Sequence, residues 1–439
     1  MALPYYLAHE IPRAQLATTS ESLLSRLHVE TRFGCDATAV DTTARTVRLS
    51  NNETIPFDNL LIATGSSAIR PPVPGADGKK VFNLWTLKDA TDVLAQVKSR
   101  PSAVLVGAGF IGMIILNALH KLGWRLSVVE LEGHVLPRML DRRGAECVER
   151  WLRDRGVGVY TGCSVQAIDS ARTRKRLLLS DGLALSAQMV ILSTGIRPNL
   201  RFLEGSGIEI ERGILVNQHL ESNVPGIYAA GDVAQGPDLL GGPRAIHAIQ
   251  PTSVDHGRVA GANMAGRKIA YPGSLVMNIL DVAKLHCASF GRWHEDGDTT
   301  VMFNANRPVY RKIVWEGDRI VGGIMLGPSE ETTMLTDVGM LKGLIQARVD
   351  LGKWKGYLQE RPWDLRRAYV ASRAAGQLLQ QKLTGAPTEP RGFHFNDIGP
   401  RTTPSEHHAL LVGTTPDNFA SLPRTPTPGI YKHPAEAKK

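Results

Sequence analysis

Cysteine is scarce in this sequence, and what there is lies scattered. The four thiols, Cys35, Cys147, Cys163 and Cys287, form no C-x-x-C pair and join no Cys/His grouping at metal-ligand spacing. That excludes a secreted disulfide framework and a metal site read from spacing, and it leaves reduced thiols in a cytoplasm as the expectation. Long apolar runs are missing too. The longest candidate, Val104 to Leu119, falls short of the roughly 20 residues a spanning helix needs. Gly107, Gly109 and Gly112 also punctuate its first half, so it reads as a buried strand and helix, and no membrane insertion is expected. The start, MALPYYLAHEIPRAQLATT, carries neither a basic leader nor an apolar stretch before a small-residue cleavage site, so a signal peptide and export are not expected. Acidic charge is in deficit: 42 acids against 51 Lys and Arg give a net charge of +9 and a pI of about 9.4. The excess favours acidic partners, with solubility as the plainer use of a diffuse arginine surplus. Nothing singles out nucleic acid.

What is present is enough for two or three domains with proper cores, since 439 residues are 43% hydrophobic. From about residue 30 to 66, short β-rich runs alternate with turns and end in the strand NLLIATG. The proline-rich RPPVPGA breaks regular structure, and a helical stretch follows around Thr86 to Lys98. Next comes AVLVGAGFIGMIILNALHKLGWRLSVVE, in which the apolar period changes from strand to helix across a glycine turn: one βαβ unit. MVILSTGIRPN and GIYAAGDVA follow, the latter leading through a glycine-rich loop into a helix from about Pro251 to Met264. From Tyr271 to about Thr384, strands and then helices read as a separate α+β domain. Gly385 to Lys439 is rich in Pro, Thr and Gly with little apolar periodicity. It reads as a loose tail or, more pointedly, as an arm packed on a partner subunit of a homodimer.

Gly107, Gly109 and Gly112 make G-x-G-x-x-G at a strand end. The first permits a tight turn, the second lets the backbone approach a pyrophosphate, and the third lets helix and strand pack closely. Phe110 and Ile111 stand in the helix's first turn, whose N–H groups and positive dipole end face an anion. A glycine triplet alone is weak evidence. Here it follows AVLV, opens FIGMIILNALHKL and precedes LSVVE, whose last residue, Glu130, falls where a ribose-binding acid belongs. A carboxylate there accepts from a ribose 2′-OH and repels a 2′-phosphate, and Glu132 stands two residues on, so NAD(H) is favoured over its phosphorylated form. The plainer reading of Glu130 is a solvated acid at a strand end.

Taken together with LLIATGSSAIRPPVPG, VILSTGIRPN and GIYAAGDVAQG in that order, the glycine turn resembles the FAD-dependent pyridine nucleotide-disulfide oxidoreductase superfamily. Within it the likeness is to NADH oxidases, rubredoxin and ferredoxin reductases and nitrite reductase flavoproteins, over about residues 3 to 385. The resemblance implies an α/β protein with two Rossmann-like dinucleotide-binding domains, the FAD one incomplete, plus a C-terminal α+β domain. The FAD-binding domain would comprise residues 1–98 and 218–268, the NADH-binding domain 99–217, the α+β domain 269–384 and the tail 385–439. Thr64 and Gly65 would mark the crossover to the NADH domain, and Gly195 the return. Gly231 and Asp232 would serve the flavin ribityl chain, and the helix opening near Pro251 would face the flavin pyrimidine. The turn-forming Asp that often follows Gly is the plainer reading of Asp232.

Three departures qualify the resemblance. Relatives carry another G-x-G-x-x-G ahead of the segment similar to LPYYLAHEI. This sequence starts at that segment, so either a start codon is misassigned or a partner chain supplies the missing fingerprint; alone, the chain would hold FAD weakly and leave apolar faces uncovered. Where relatives read G-F-I-G-L-E, this chain reads GFIGMI, with Ile114 in place of a carboxylate, which implies less efficient hydride transfer. Where some relatives place a redox-active Cys, this chain has Met1, so a dithiol relay is not expected. The function expected is an NADH-dependent FAD oxidoreductase passing electrons to a redox protein, such as an acidic ferredoxin-like one, or to a small acceptor. The alternative is a non-catalytic dinucleotide-binding subunit of a larger redox complex. His247 and His256 flank the helix after GDVA as proton donors to the flavin or, more plainly, as surface or interface histidines.

Overall fold

The structure is a computed structural model that describes residues 2–374 apart from 18, 97–100, 172–173, 305 and 332. The segment 385–439, read as a tail or arm, lies outside the described residues. The fold is the expected mixed α/β arrangement, and its centre is a five-stranded parallel sheet. In spatial order its strands are Val81–Asn83, Met189–Leu192, Ser102–Val106, Arg125–Glu130 and Gly158–Thr161. Parallel strands need crossovers, and helices Phe110–Lys121 and Arg142–Arg153 supply two of them.

Every residue of Ser102–Val106 is buried, because both sheet faces are covered. Ala103 and Leu105 point into a core with Met113, Leu116, Leu119, Val148 and Leu152 from the two helices. Val104 and Val106 point the opposite way, into a core with Leu177, Leu179 and Leu185. The latter come from an antiparallel meander, Val165–Ala171, Arg174–Leu179 and Ala184–Ala187. Its middle strand, RKRLLL, alternates exposed and buried residues, as a strand with one wet face must. Phe110–Lys121 ends where Gly123 takes φ +73°, a left-handed turn that stops the helix without a Cβ penalty. Fully burying a residue such as Leu105 contributes about 2 kcal/mol, so this two-faced packing, rather than helix propensity, holds the glycine turn in place.

A second core gathers residues far apart in sequence: Val40 and Ile62 with Ile214, Ile227, Ala229, Val233, Val259 and Tyr271. Leu60–Ile62 pairs in parallel with Ile227–Ala229, and Ile214–Leu215 with Ala234–Gln235. The meander Ala37–Asp41, Thr46–Leu49 and Thr54–Pro56 precedes them, and helix Gln250–Met264 packs on the result. The two polypeptide crossings between this region and the parallel sheet run side by side: Ser66–Ala68 pairs antiparallel with Ile196–Pro198. The short N-terminal helix Leu3–Leu7 packs on helix Phe110–Lys121, with Leu7 fully buried in the core of the parallel sheet. Tyr5, Leu27, Val29 and Phe33 are exposed.

Strands followed by helices appear after Tyr271, as the pattern predicts. In spatial order the antiparallel sheet runs Met277–Val282, Leu285–Gly291, Arg319–Pro328, Val309–Glu316 and Thr299–Asn304, followed by helices Thr333–Gln346, Trp354–Glu360 and Leu365–Ala371. Both faces of this sheet are covered. Ala288, Phe290 and Met325 face its own helices, whereas Leu285, Cys287 and Leu326 enter the core beneath the glycine-turn helix. Cys147 and Cys287, distant in sequence, therefore share one core, where burial pushes both thiols up.

Candidate functional site

The three glycines of the turn differ in their surroundings. Gly107 takes φ +104°, and a Cβ there would stand 2.4 Å from the carbonyl oxygen of Ser193. A Cβ on Gly112 would stand 2.1 Å from the Gly107 carbonyl oxygen, so helix and strand touch backbone to backbone. A Cβ on Gly109 would meet nothing within 4 Å. Gly109 is also the N-cap of helix Phe110–Lys121, so the first-turn N–H groups at Phe110 and Ile111 have no side-chain cap. An anion with two phosphates matches that combination of donors, dipole and room.

Glu130 is not the solvated strand-end acid of the plainer reading. It is 8% exposed, its Oε2 accepts from the Ala108 N–H at 2.6 Å, and its Oε1 accepts from the Glu132 N–H at 3.1 Å. The carboxylate is thus built into the turn, and each oxygen keeps a lone pair for a further donor such as a ribose hydroxyl. Ile114 is half-buried and packs against the core cluster of the parallel sheet.

A second set of sequence-singled residues meets at the paired crossings. Gly65 and Gly195 both have positive φ, +65° and +113°. Thr64 Oγ1 donates to the Asn199 carbonyl at 2.9 Å, and Asn199 Nδ2 donates to the Thr64 carbonyl at 2.9 Å. Ser66 Oγ donates to Asp232 Oδ2 at 2.6 Å, while Trp85 Nε1 donates to the Ser66 carbonyl at 2.7 Å. Asp232 stays half-exposed at the turn Gly231–Val233, where Gly231 has φ +73° and faces the Ser253 hydroxyl. Ser253 belongs to helix Gln250–Met264, which begins with Pro251 in its first turn and has no side-chain N-cap. A half-exposed carboxylate beside an uncapped helix N-terminus offers an acceptor for hydroxyls and a positive dipole end for an electron-rich ring. These features fit the ribityl chain and pyrimidine of FAD, as the glycine turn fits NAD(H). Ser66, Trp85, Ser193 and Asn199 were missed by sequence reasoning. Ser66 and Ser193 stand within two residues of a crossing glycine, which is a weak signal, whereas nothing in the sequence marks Trp85 or Asn199.

His247 and His256 are not surface residues: His256 is 1% exposed and His247 8%. Burial pushes the His256 imidazole down to about 4, with His247 adding to the effect, and its ring meets Tyr271 edge-on at 4.9 Å. Its Nε2 lies 3.3 Å from Ser274 Oγ, which in turn pairs with the Tyr271 hydroxyl at 2.9 Å. Burial also pushes His247 down, against the pull of Asp238. A polar cleft of about 420 Å³ near Asn217, His219, Asp238 and Arg244 includes neither the glycine turn nor Asp232. Among the described residues no group of three or more His, Cys, Asp or Glu is placed to hold a metal, and no helix is long and apolar enough to cross a membrane.

A parallel sheet with its glycine turn at an uncapped helix, joined by a paired crossing to a second region with its own uncapped helix and acid, is an arrangement that suits two dinucleotides. The sequence profile of the pyridine nucleotide-disulphide oxidoreductases matches residues 3–251, and the chain belongs to that family. FAD and NAD(H) are the cofactors of the family. The chain is 29% identical over 353 residues to the NADH-dependent phenylglyoxylate dehydrogenase subunit epsilon of Aromatoleum evansii, covering 80% of this chain and 82% of the relative. It is 30% identical over 299 residues to the nitrite reductase [NAD(P)H] of Bacillus subtilis, where it covers 67% of this chain but spans only 36% of the relative. Among solved structures, a NAD-dependent persulfide reductase from A. fulgidus superposes with a TM-score of 0.74 at 27% identity, covering 80% of this chain and 70% of the other. The family profile ends at residue 251, so the α+β region lies outside its match.

Proposed function

We propose that the chain binds NADH at the Gly107–Gly112 turn and FAD at Asp232 and the paired crossings, and moves electrons from the first to a redox-protein acceptor. The observation that carries this reading is the turn itself, in which Gly109 faces open space at an uncapped helix while Glu130 is anchored beside it. Bound FAD supplies the hydride acceptor and releases electrons onward. Residues 99–217 hold the nicotinamide nucleotide: first-turn N–H groups meet its pyrophosphate, and Glu130 takes the ribose hydroxyls and repels a 2′-phosphate. Thr64, Gly65 and Gly195 let the chain cross between regions 1–98 with 218–268 and 99–217. Gly231 turns Asp232 toward the ribityl hydroxyls, and the helix opened by Pro251 stabilises negative charge on the flavin pyrimidine. The net charge of +9 suits an acidic ferredoxin-like acceptor, whose encounter it would steer.

A segment adding a strand beside Leu60–Ile62 fits the flavin region. Among the described residues that strand has Ile227–Ala229 as its one neighbour, and Leu27, Val29 and Phe33 stand exposed. The test is to add FAD and then NADH without oxygen. Bleaching of the visible flavin band supports the oxidoreductase reading. NADH binding without bleaching, on protein that retains FAD through gel filtration, overturns it in favour of a dinucleotide-binding subunit of a larger complex.

A further inference from the structure

One side chain that no glycine pattern points to holds the nucleotide turn in shape. Ser193 follows the strand Met189–Leu192 and lies beneath the turn. Its N–H donates to the Val106 carbonyl at 2.8 Å, and its Oγ lies 2.9 Å from the Gly107 carbonyl and 3.1 Å from that of Val106. The peptide between Gly107 and Ala108 is therefore gripped at both ends. Its C=O accepts from Ser193 Oγ, and its N–H donates to Glu130 Oε2 at 2.6 Å. One residue on, the Ala108 carbonyl accepts from the Leu136 N–H at 2.9 Å. With these groups fixed, the backbone reaches Gly109 and the helix's first turn in a single orientation. The fit leaves little slack: a Cβ on Gly112 would come within 2.7 Å of Ser193 Oγ. The next residue pulls elsewhere, since Thr194 Oγ1 donates to the Ile69 carbonyl at 2.9 Å on the outgoing crossing.

We infer that Ser193 is a positioning residue for the dinucleotide pyrophosphate, acting through the Gly107–Ala108 peptide that it shares with Glu130. The inference rests on the nucleotide reading proposed above. A net hydrogen bond of ordinary strength corresponds to a change of roughly 3- to 10-fold in binding when its loss lets a preorganised donor array relax. Ser193→Ala should therefore raise the Kd for ADP-ribose by about 3- to 10-fold, and raise KM for NADH with kcat unchanged. The same variant without ligand should show faster amide exchange in a peptide spanning 107–112, while strand Arg125–Glu130 exchanges as before and the melting midpoint falls only slightly. A role confined to global stability would lower the midpoint and speed exchange throughout. Failure of the parent chain to bind ADP-ribose would refute the nucleotide reading. Unchanged exchange at 107–112, or unchanged ADP-ribose affinity when the parent chain binds it, would overturn the role of Ser193.

Discussion

Tyr310 donates its phenolic hydrogen to Asp141 Oδ2 at 2.6 Å, across the seam between the antiparallel sheet and the helix that joins strands Arg125–Glu130 and Gly158–Thr161. The same carboxylate accepts from the Gly144 N–H at 2.9 Å as N-cap of Arg142–Arg153 and lies 3.7 Å from Lys312 Nζ. Burial pushes the Tyr310 phenol above its ordinary range, and the bond to Asp141 adds to this. Tyr310→Phe should cost about 1–2 kcal/mol. Asp141→Ala should cost more, about 3 kcal/mol, because it removes the cap and strands a buried hydroxyl together. Urea denaturation of both single variants and the double variant checks this. A strictly additive double variant would mean the two residues do not interact.

The glycines of the turn should separate under substitution. Gly109→Val adds a branched side chain to open space, so the melting midpoint should move little while NADH binding is lost. Gly107→Ala forces a Cβ against the Ser193 carbonyl at φ +104° and should cost at least about 1–3 kcal/mol of stability before any effect on binding. Thermal unfolding and NADH titration on both proteins read the two effects apart. Retained binding in Gly109→Val would make the turn a packing device.

Glu130→Ala should weaken NADH binding by about 10-fold, or about 1.4 kcal/mol, and narrow the preference over NADPH. It also leaves the Ala108 N–H without its acceptor, so stability should fall by about 1–3 kcal/mol. Titration with both nucleotides decides the matter, and equal affinities before and after substitution would remove Glu130 from the ribose site.

Acid should find His256. Its folded imidazole sits at about 4 against an ordinary 6.5, because burial disfavours the charged form. The unfolded chain therefore binds a proton that the folded chain refuses. Stability is full above about pH 6.5, falls as the pH drops toward 4, and loses about 3 kcal/mol in total from this group. His247, also pushed down by burial, acts in the same direction. His256→Gln should flatten the slope of unfolding free energy over that window, and an unchanged slope would assign the acid sensitivity elsewhere.

The glycine turn was legible as a strand-turn-helix because its constraint is local: a strand, three glycines and a helix start within a dozen residues, and Glu130 follows at the end of the next strand. Ser193 and Asn199 were not, because their partners lie 86 and 135 residues away in sequence and only the assembled sheet brings them together. The burial of His256 was not legible for a related reason. Polar residues on a helix face read as exposed, but Tyr271 and Ser274, from the segment after the helix, cover His256. The α+β region announced its own strands and helices, but nothing in its pattern marked which sheet face would turn toward the core of the nucleotide sheet.

The parallel pairing of Leu60–Ile62 with Ile227–Ala229 has a consequence during synthesis. When the first of these strands leaves the ribosome, its mate has not yet been translated, and the whole parallel sheet with its glycine turn emerges in between. All the strands of the inserted sheet are made while the strand before them waits without its neighbour. A stall or cleavage before residue 227 would thus release a chain whose earlier strands have nothing to close against and whose glycine-turn helix lacks the cover of Leu285, Cys287 and Leu326.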